Sequence, residues 1–336
     1  MAGVTYKCPH CGAYLEFDPE SGAWRCPFCQ SGFTQADLQP PEASAAAQVA
    51  YHCPNCGSEI LTDETTAATR CYYCHSPVVL LGRVADELKP DSVLPFSIGR
   101  EKAEQTFLSW VKTKRFVPKG FFQEAKLDNV SGVYYPHFIS SCDLQGTVDG
   151  EGRQISVVST ARYVVTTTRH YHVRREGSMR FEGIIRPALK SADRKLSDGI
   201  HPFPLEKLEP FSGAYLAGFL AERRDMEAQD IQEDVRNEVA GYVEPLLTDD
   251  LHYDSYNVIS SADVTRLDSR YALLPAWVIT YPNAKDPAHP YYYAMNGCTG
   301  AVCGKLPVNR KKLWAAGVGV AAAVFAVGLA LSYFLF

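Results

Sequence analysis

The sequence lacks the short motifs that mark nucleotide-dependent and hydrolytic enzymes. Its 336 residues contain no G-x4-G-K-[ST] loop, no G-x-G-x-x-G turn, no H-E-x-x-H helix and no G-x-S-x-G elbow. Each motif supplies something that its chemistry requires: backbone amides for phosphate, two histidines for a metal, or an exposed nucleophile. We therefore expect a protein that is not an enzyme, and no small-molecule substrate is evident.

An excess of basic side chains is also missing. Residues 1–80 carry three basic and eight acidic side chains, so the whole formal charge of −5 lies there, and the rest of the chain is balanced. A protein that binds nucleic acid needs a basic surface to displace counterions from phosphate. The acidic N-terminal region would repel phosphate, which disfavours nucleic acid and favours a protein as the partner.

Cysteine is scarce after residue 74, where only Cys142, Cys298 and Cys303 occur. Cys298 and Cys303 have no second pair at metal-ligand spacing, so we expect no third metal site. Cys142 stands alone and is expected to be buried and inert. The chemistry of cysteine in this chain is therefore concentrated in the first 74 residues.

The eight N-terminal cysteines form two copies of one motif, C-x2-C, fourteen residues, then C-x2-C. The copies are 45 residues apart and consist of Cys8, Cys11, Cys26 and Cys29, then Cys53, Cys56, Cys71 and Cys74. This spacing is typical of a zinc ribbon, in which two tight turns supply four thiolates and leave no open coordination position. We predict two zinc ions, one per ribbon. Iron in a rubredoxin-like site is the alternative, but rubredoxins place their cysteine pairs farther apart.

The pattern along the chain predicts an α+β protein with two small β-ribbons. We expect the first ribbon at residues 1–35, a linker at 36–50, the second ribbon at 51–80 and a central α+β domain at 93–309. In that domain the hydrophobic periodicity predicts two helices and four strands: helices at 100–114 and 221–247, strands at 132–139, 154–173, 272–280 and 291–295. Similar segments begin at Tyr135 and Leu274, 139 residues apart, which indicates two degenerate repeats.

A long uncharged segment closes the sequence. Residues 314–336 contain no charged side chain and are long enough to cross a bilayer as a helix. Arg310, Lys311 and Lys312 precede the segment, and Trp314 lies where aromatic rings favour the membrane interface. No secretory signal opens the chain. The positive-inside rule predicts a single-pass, tail-anchored protein of the inner membrane with its N-terminal head in the cytoplasm.

Two other features of the central domain have plain structural explanations. Residues 169–175 form a basic cluster, which either contacts anionic lipid or an acidic partner or is simply an exposed strand; we favour the exposed strand. His137 follows a proline in an apolar segment and is expected to be a packed histidine rather than a ligand or a base. Neither feature changes the expectation that the ribbons and the terminal helix define the function.

These features together resemble a bacterial family labelled TFIIB-type, or PriA-helicase-like, zinc-ribbon membrane proteins. The residues that carry the resemblance are the two Cys-Pro-x-Cys-Gly turns, the Tyr-x-Pro strand start, and the segments Pro210–Phe219 and Asn296–Gly300. The resemblance implies a membrane-anchored adaptor that recruits a protein partner, such as an SPFH (flotillin-like) or membrane-stress protein. A membrane-tethered regulator that binds nucleic acid is the alternative. The helicase label has no support, because the chain contains no nucleotide-binding loop.

Overall fold

The computed structural model describes residues 6–38, 50–53, 59–61, 66–70, 76–80, 88–117, 130–281, 291–304, 306 and 308–335. Within these ranges the chain is a mixed α+β structure with a three-stranded, a two-stranded and a ten-stranded β-sheet. The α+β class predicted from the sequence is therefore confirmed.

The strands and helices fall in the following order. The strands are β1 (Glu16–Asp18), β2 (Ala23–Arg25), β3 (Gly32–Phe33), β4 (Ala50–His52), β5 (Glu59–Leu61), β6 (Thr66–Arg70), β7 (Pro77–Val79), β8 (Ser92–Val93), β9 (Val130–Ser159), β10 (Val164–Pro187), β11 (Glu209–Pro210), β12 (Leu220–Glu222), β13 (Ser255–Tyr281), β14 (Tyr291–Asn296) and β15 (Val302–Gly304). The helices are α1 (Arg100–Lys112), α2 (Arg194–Gly199), α3 (Gln232–Thr248) and α4 (Arg310–Leu335). Short 3-10 turns cover Gln35–Asp37, Leu205–Lys207, Gly213–Leu216 and Ala228–Ile231.

The strand pairings of the two ribbons repeat at the 45-residue spacing of the cysteines. Three cross-strand pairs recur: Lys7–Tyr14 as His52–Glu59, Trp24–Phe33 as Thr69–Val78, and Arg25–Gly32 as Arg70–Pro77. The first ribbon forms the three-stranded sheet β1-β2-β3. In the second ribbon β6 and β7 belong to the ten-stranded sheet, because β6 pairs with β12. The described strands of the two ribbons are thus attached to the molecule in two ways.

The long antiparallel pair β9–β13 forms the centre of the ten-stranded sheet. The other edge of β9 pairs first with β12, at Val133 and Tyr134, and then with β10. The other edge of β13 pairs first with β8, at Ala272 and Leu273, and then with β14. These equivalent contacts are 139 residues apart, which is the spacing of the predicted repeats. The duplication itself stays a prediction.

Burial changes along β9. Alternate residues from Ser140 to Val148 are buried, as expected for a strand with one covered face, and they include Cys142, as the sequence predicted. The helix α3 covers this face, and Gly146 marks a close approach, because a Cβ there would lie 2.8 Å from Val243 Cγ1. From residue 153 onward β9 is exposed on both faces.

The predicted second helix begins too early. Residues 220–222 form β12 and residues 228–231 a 3-10 turn, so the helix starts at Gln232 rather than at residue 221. Its buried stripe consists of Ile231, Val235, Val239 and Val243. The hydrophobic periodicity also predicts Tyr242 and Leu246 on this face, but both are exposed, because the buried stripe runs in steps of four residues.

Two further predictions about the central domain can be compared with the structure. The first helix was predicted at residues 100–114 and α1 covers Arg100–Lys112, with Ala103 and Phe107 buried. The predicted strand at residues 154–173 is in fact a hairpin. Thr160 forms its turn, with both N and Oγ1 donating to the carbonyl oxygen of Tyr163 at 2.9 Å. The β-branched residues on either side of this turn gave one continuous strand signal.

Candidate metal centre

The four cysteines of the first ribbon converge at one point. The Sγ atoms of Cys8, Cys11, Cys26 and Cys29 all lie within 4.8 Å of one another. The closest pairs are Cys8–Cys29 at 3.6 Å and Cys11–Cys26 at 3.5 Å. In a tetrahedral zinc site with bonds of ~2.3 Å, the sulfur atoms are about 3.8 Å apart. The four sulfur atoms could therefore bind a metal ion, as the spacing predicted.

Backbone geometry creates the site from two matching turns. The amide of Gly12 donates to the carbonyl of Cys8 at 2.9 Å, and the amide of Gln30 donates to the carbonyl of Cys26 at 2.9 Å. Gly12 and Gln30 both have positive φ, +74° and +61°, a conformation that glycine adopts most easily. Each turn holds its first cysteine buried and its second exposed.

Neighbouring groups favour the thiolate form of the exposed ligand Cys29. Its Sγ lies 3.3 Å from Ser31 Oγ. The hydrogen bond with the Ser31 hydroxyl, assisted by the Ser31 backbone amide, lowers the pKa of Cys29 to about 6. Metal ligation requires the thiolate form. The other exposed cysteine differs: a backbone hydrogen bond at Ala13 lowers the pKa of Cys11, but hydrogen bonds with the neighbouring cysteines and burial raise it to about 12. His10 is directed at the same hydroxyl, with Nδ1 3.0 Å from Ser31 Oγ, and is not needed as a fifth ligand.

The second cysteine motif is described only in part. Cys53 is buried, and its Sγ lies 3.5 Å from the hydroxyl of Ser76, which is the equivalent of Ser31 in the 45-residue repeat. Cys56, Cys71 and Cys74 lie outside the described residues. One cluster of four cysteines is therefore seen, and a second metal ion stays a prediction. Four thiolates suit zinc or iron, so the donor set does not distinguish between these two metals.

The first ribbon is fixed to the central domain by aromatic side chains. Trp24 Nε1 donates to the carbonyl of Ala214 at 2.8 Å, and the rings of Phe17, Trp24 and Tyr215 lie 5.1–5.3 Å apart. The amide of Phe17 also donates to the carbonyl of Ala217 at 2.9 Å. The sequence analysis missed this contact. The one signal for it was the segment Pro210–Phe219, which was noted as a family feature but not as a docking surface.

An arginine joins both ribbons to the same loop. Arg70, in β6 of the second ribbon, forms an ion pair with Glu16 of the first ribbon at 2.9 Å. Its other terminal nitrogen donates to the carbonyl of Gly218 at 2.8 Å. Asp18 is also near a basic group, 3.8 Å from Arg25. Part of the acidic charge of the first ribbon is thus neutralised within the molecule.

One helix within the described residues is long and apolar enough to cross a membrane. A 19-residue window of α4, Arg310–Gly328, is entirely unburied, which distinguishes it from a core helix. Asn309 caps the helix, because its Oδ1 accepts from the amide of Lys312 at 3.2 Å, and its own amide donates to the carbonyl of Phe116. Trp314 is 75% exposed. The predicted flanking residues Arg310, Lys311 and Lys312 form the first turn of this helix.

A cavity of about 550 Å³ lies between α2 and the central strands, and no sequence motif predicts it. His137 lines this cavity. Its Nδ1 donates to the carbonyl of Tyr135 at 3.0 Å, so its Nε2 accepts from the hydroxyl of Ser197 at 3.1 Å. Burial lowers the pKa of His137 to about 4, which makes it a weak proton acceptor at neutral pH. These contacts match the packed histidine that the sequence predicted.

The remaining predicted features are dispersed. The basic cluster at residues 169–175 lies on β10 and is exposed at all positions except Val173 and Arg175. Cys298 lies in the turn between β14 and β15, and Cys303 lies in β15; their thiols contact the backbone carbonyls of Pro95 and Lys195, respectively. Neither cysteine belongs to a cluster of metal ligands within the described residues.

Comparison with known proteins gives one relative. The chain is 32% identical over 330 residues to YdjG of Bacillus subtilis (strain 168), and the match covers 96% of this chain and 95% of the relative. YdjG is described as an uncharacterized protein, so the similarity assigns no activity. No protein-family model and no solved structure matches the chain. The match extends over nearly the whole chain.

Proposed function

This chain belongs to the family of the Bacillus subtilis protein YdjG, and we propose that it is a membrane-anchored zinc-ribbon adaptor. In this proposal α4 spans the inner membrane once, and the head lies in the cytoplasm. The two ribbons each hold one zinc ion and recruit a protein partner to the membrane. The partner class suggested by the family resemblance is an SPFH-domain or membrane-stress protein.

The four-cysteine cluster of the first ribbon is the observation on which the proposal rests. Four thiolates that close on one ion leave no position for a substrate, so the metal has a structural role. Such a site stabilises a small surface for recognition rather than catalysis. The exposed side of this ribbon presents Phe28, which is 69% exposed and next to the ligand Cys29. An exposed aromatic ring beside a rigid metal site is a suitable anchor for a protein partner.

The test is affinity purification of the full chain from membranes. We compare the natural chain with Phe28→Ser, and use Tyr242→Ser as the matched control, since Tyr242 is a 45% exposed aromatic residue on α3. A partner that co-purifies with the natural chain and with the control but not with Phe28→Ser would support recruitment by the ribbon. An identical set of co-purifying proteins for all three chains would contradict it.

A membrane-tethered regulator that binds nucleic acid is the second candidate, because zinc ribbons often serve that purpose. The net charge of −5 at the N-terminal end disfavours it. The same purification distinguishes the two functions. Nucleic acid that co-purifies and is released as the salt concentration rises would favour the regulator and overturn the argument from charge.

A further inference from the structure

The hairpin formed by β9 and β10 extends beyond the rest of the sheet. The strand β13 pairs with β9 only as far as Arg153. Residues 154–168, the tip hairpin, form the outermost part of the two strands and their turn. Within the described residues no other strand pairs with the tip hairpin, and every residue from 153 to 172 is exposed. These exposed residues are therefore uncovered on both faces. We refer to residues 152–175, which include the tip hairpin, as the arm.

The tip hairpin is rich in exposed apolar side chains. Six of them are between 46% and 63% exposed: Ile155, Val157, Val158, Tyr163, Val164 and Val165. The register puts Ile155, Val157 and Val164 on one face, and Val158 opposite Val165 on the other. A strand that packs on one protein surface needs only one apolar face. Apolar residues on both faces suit a medium that surrounds the hairpin, such as the interfacial zone of a bilayer.

The charge of the arm has one sign. Between Glu151 and Glu176 there is no acidic residue, and there are five arginines: Arg153, Arg162, Arg169, Arg174 and Arg175. Three of the five are paired with acidic residues outside this stretch, Arg153 with Glu151, Arg174 with Glu176 and Arg175 with Asp250. Two histidines of the arm also face carboxylates, His170 that of Glu151 and His172 that of Asp149.

The two arginines nearest the tip, Arg162 and Arg169, remain available for an external anion. Asp254 is the acidic residue at the base of the tip hairpin, where its carboxylate accepts from the amide of Ile155. The negative surface potential of an anionic bilayer attracts basic side chains that lie near it. In a contact between two copies, Arg162 and Arg169 would meet no carboxylate of the tip hairpin, since residues 154–168 contain none, whereas an anionic bilayer offers phosphates to both.

We propose that the tip hairpin docks into the interfacial zone of an anionic lipid bilayer. The apolar side chains enter the boundary between headgroups and acyl chains, and Arg162 and Arg169 contact lipid phosphates. The outer edges of the hairpin carry unpaired backbone amides, which hydrocarbon cannot satisfy. The hairpin therefore enters only as deep as headgroups and water reach. This docking does not depend on the adaptor function.

The position of the tip hairpin sets the geometry of docking. α4 is attached at the loop after α1, because the amide of Asn309 donates to the carbonyl of Phe116. At ~3.3 Å per residue, the 30 residues of β9 extend over at most roughly 95 Å along the strand. The tip hairpin lies at the C-terminal end of β9, so its proposed contact with a bilayer is separate from that of the terminal helix.

The test measures amide hydrogen exchange of the full chain reconstituted in two kinds of vesicle. One kind contains phosphatidylcholine alone and the other also contains phosphatidylglycerol. We expect residues 154–168 to exchange about tenfold more slowly in the phosphatidylglycerol vesicles, with residues 6–38 unchanged. The double variant Arg162→Glu/Arg169→Glu should lose this protection. Arg180→Glu, at an exposed position nearer the core on the same strand, should keep it.

Three results would contradict the proposal. Equal exchange at residues 154–168 in both vesicles would show that anionic lipid is not recognised. Protection that appears already in detergent micelles and grows with protein concentration would assign the tip hairpin to a protein contact instead. The Val157→Asp variant keeps the arginines and removes one apolar contact; exchange as slow as in the natural chain would contradict the insertion of apolar side chains.

Discussion

The first ribbon keeps a sheet of its own, whereas strands β6 and β7 of the second ribbon lie in the ten-stranded sheet. Three cross-strand pairs recur at equivalent positions of the two ribbons, and the side chains of the paired strands differ. In β2 only Trp24 is buried, and it reaches across to the central domain. In β6 the small residues Ala67 and Ala68 are both buried, which allows this strand to be covered on both faces.

This comparison shows that a duplicated sequence unit need not have a duplicated role. A ribbon that is held by a few aromatic contacts can unfold locally without disturbing the central domain on which it packs. A ribbon whose strands donate and accept backbone hydrogen bonds within the main sheet is part of that sheet. We therefore expect loss of metal from the second ribbon to affect the whole head, and loss of metal from the first ribbon to stay local.

The largest effect is expected from the double variant Cys53→Ser/Cys56→Ser. A structural zinc site contributes on the order of 10 kcal/mol to the folding of its ribbon. Because β6 pairs with β12, which pairs with β9, the damage should reach the central sheet. We expect the melting temperature of the head to fall by roughly 10 °C or more, measured by thermal unfolding of the full chain in detergent. Cys303→Ser, which changes a cysteine outside the ribbons, should melt like the natural chain.

The double variant Cys8→Ser/Cys26→Ser should have a large but local effect. It removes both buried ligands of the first site, so the metal content should fall by about one ion per chain. Exchange of the amides in residues 6–38 should increase about 100-fold or more, because the segment is too small to fold on its own core. The amides of β9 and β13 should be unchanged. Simultaneous loss of protection in those strands would show that the two ribbons are equivalent after all.

The sequence predicted the four ligands of the first site because metal geometry limits the spacing of thiolates and few alternatives share it. It could not predict how each ribbon is attached. Trp24 suits an isolated hairpin as well as a docked one, and only the folded chain brings Ala214 beside it, 190 residues away. The predicted start of α3 was wrong for a related reason. Residues 220–222 pair with β9 and β6, and this tertiary pairing overrides a local helical pattern.

An intermediate effect is expected from Trp24→Ala, which removes the largest contact between the first ribbon and the central domain. Truncation of a buried tryptophan costs about 3–5 kcal/mol. Here the cost should appear as easier opening of the ribbon, measured by exchange of residues 6–38, with the metal retained. Phe28→Ala provides the control, since Phe28 is an exposed aromatic residue of the same ribbon. Equal effects of the two variants would mean that the ribbon does not depend on docking.

The smallest effect is expected from Arg70→Met, which keeps the apolar stem of the side chain but removes the group that joins Glu16 to the carbonyl of Gly218. Both partners of the ion pair are partly exposed, 43% for Arg70 and 33% for Glu16, so solvent weakens their attraction. We expect easier opening of the first ribbon by about 0.5–1 kcal/mol, decreasing at high salt. Arg25→Met is the matched control, because Arg25 lies 3.8 Å from Asp18 within one ribbon and should change little. If Arg25→Met loosened the ribbon as much as Arg70→Met, the contact between the two ribbons would have no special role, and aromatic docking alone would hold the first ribbon in place.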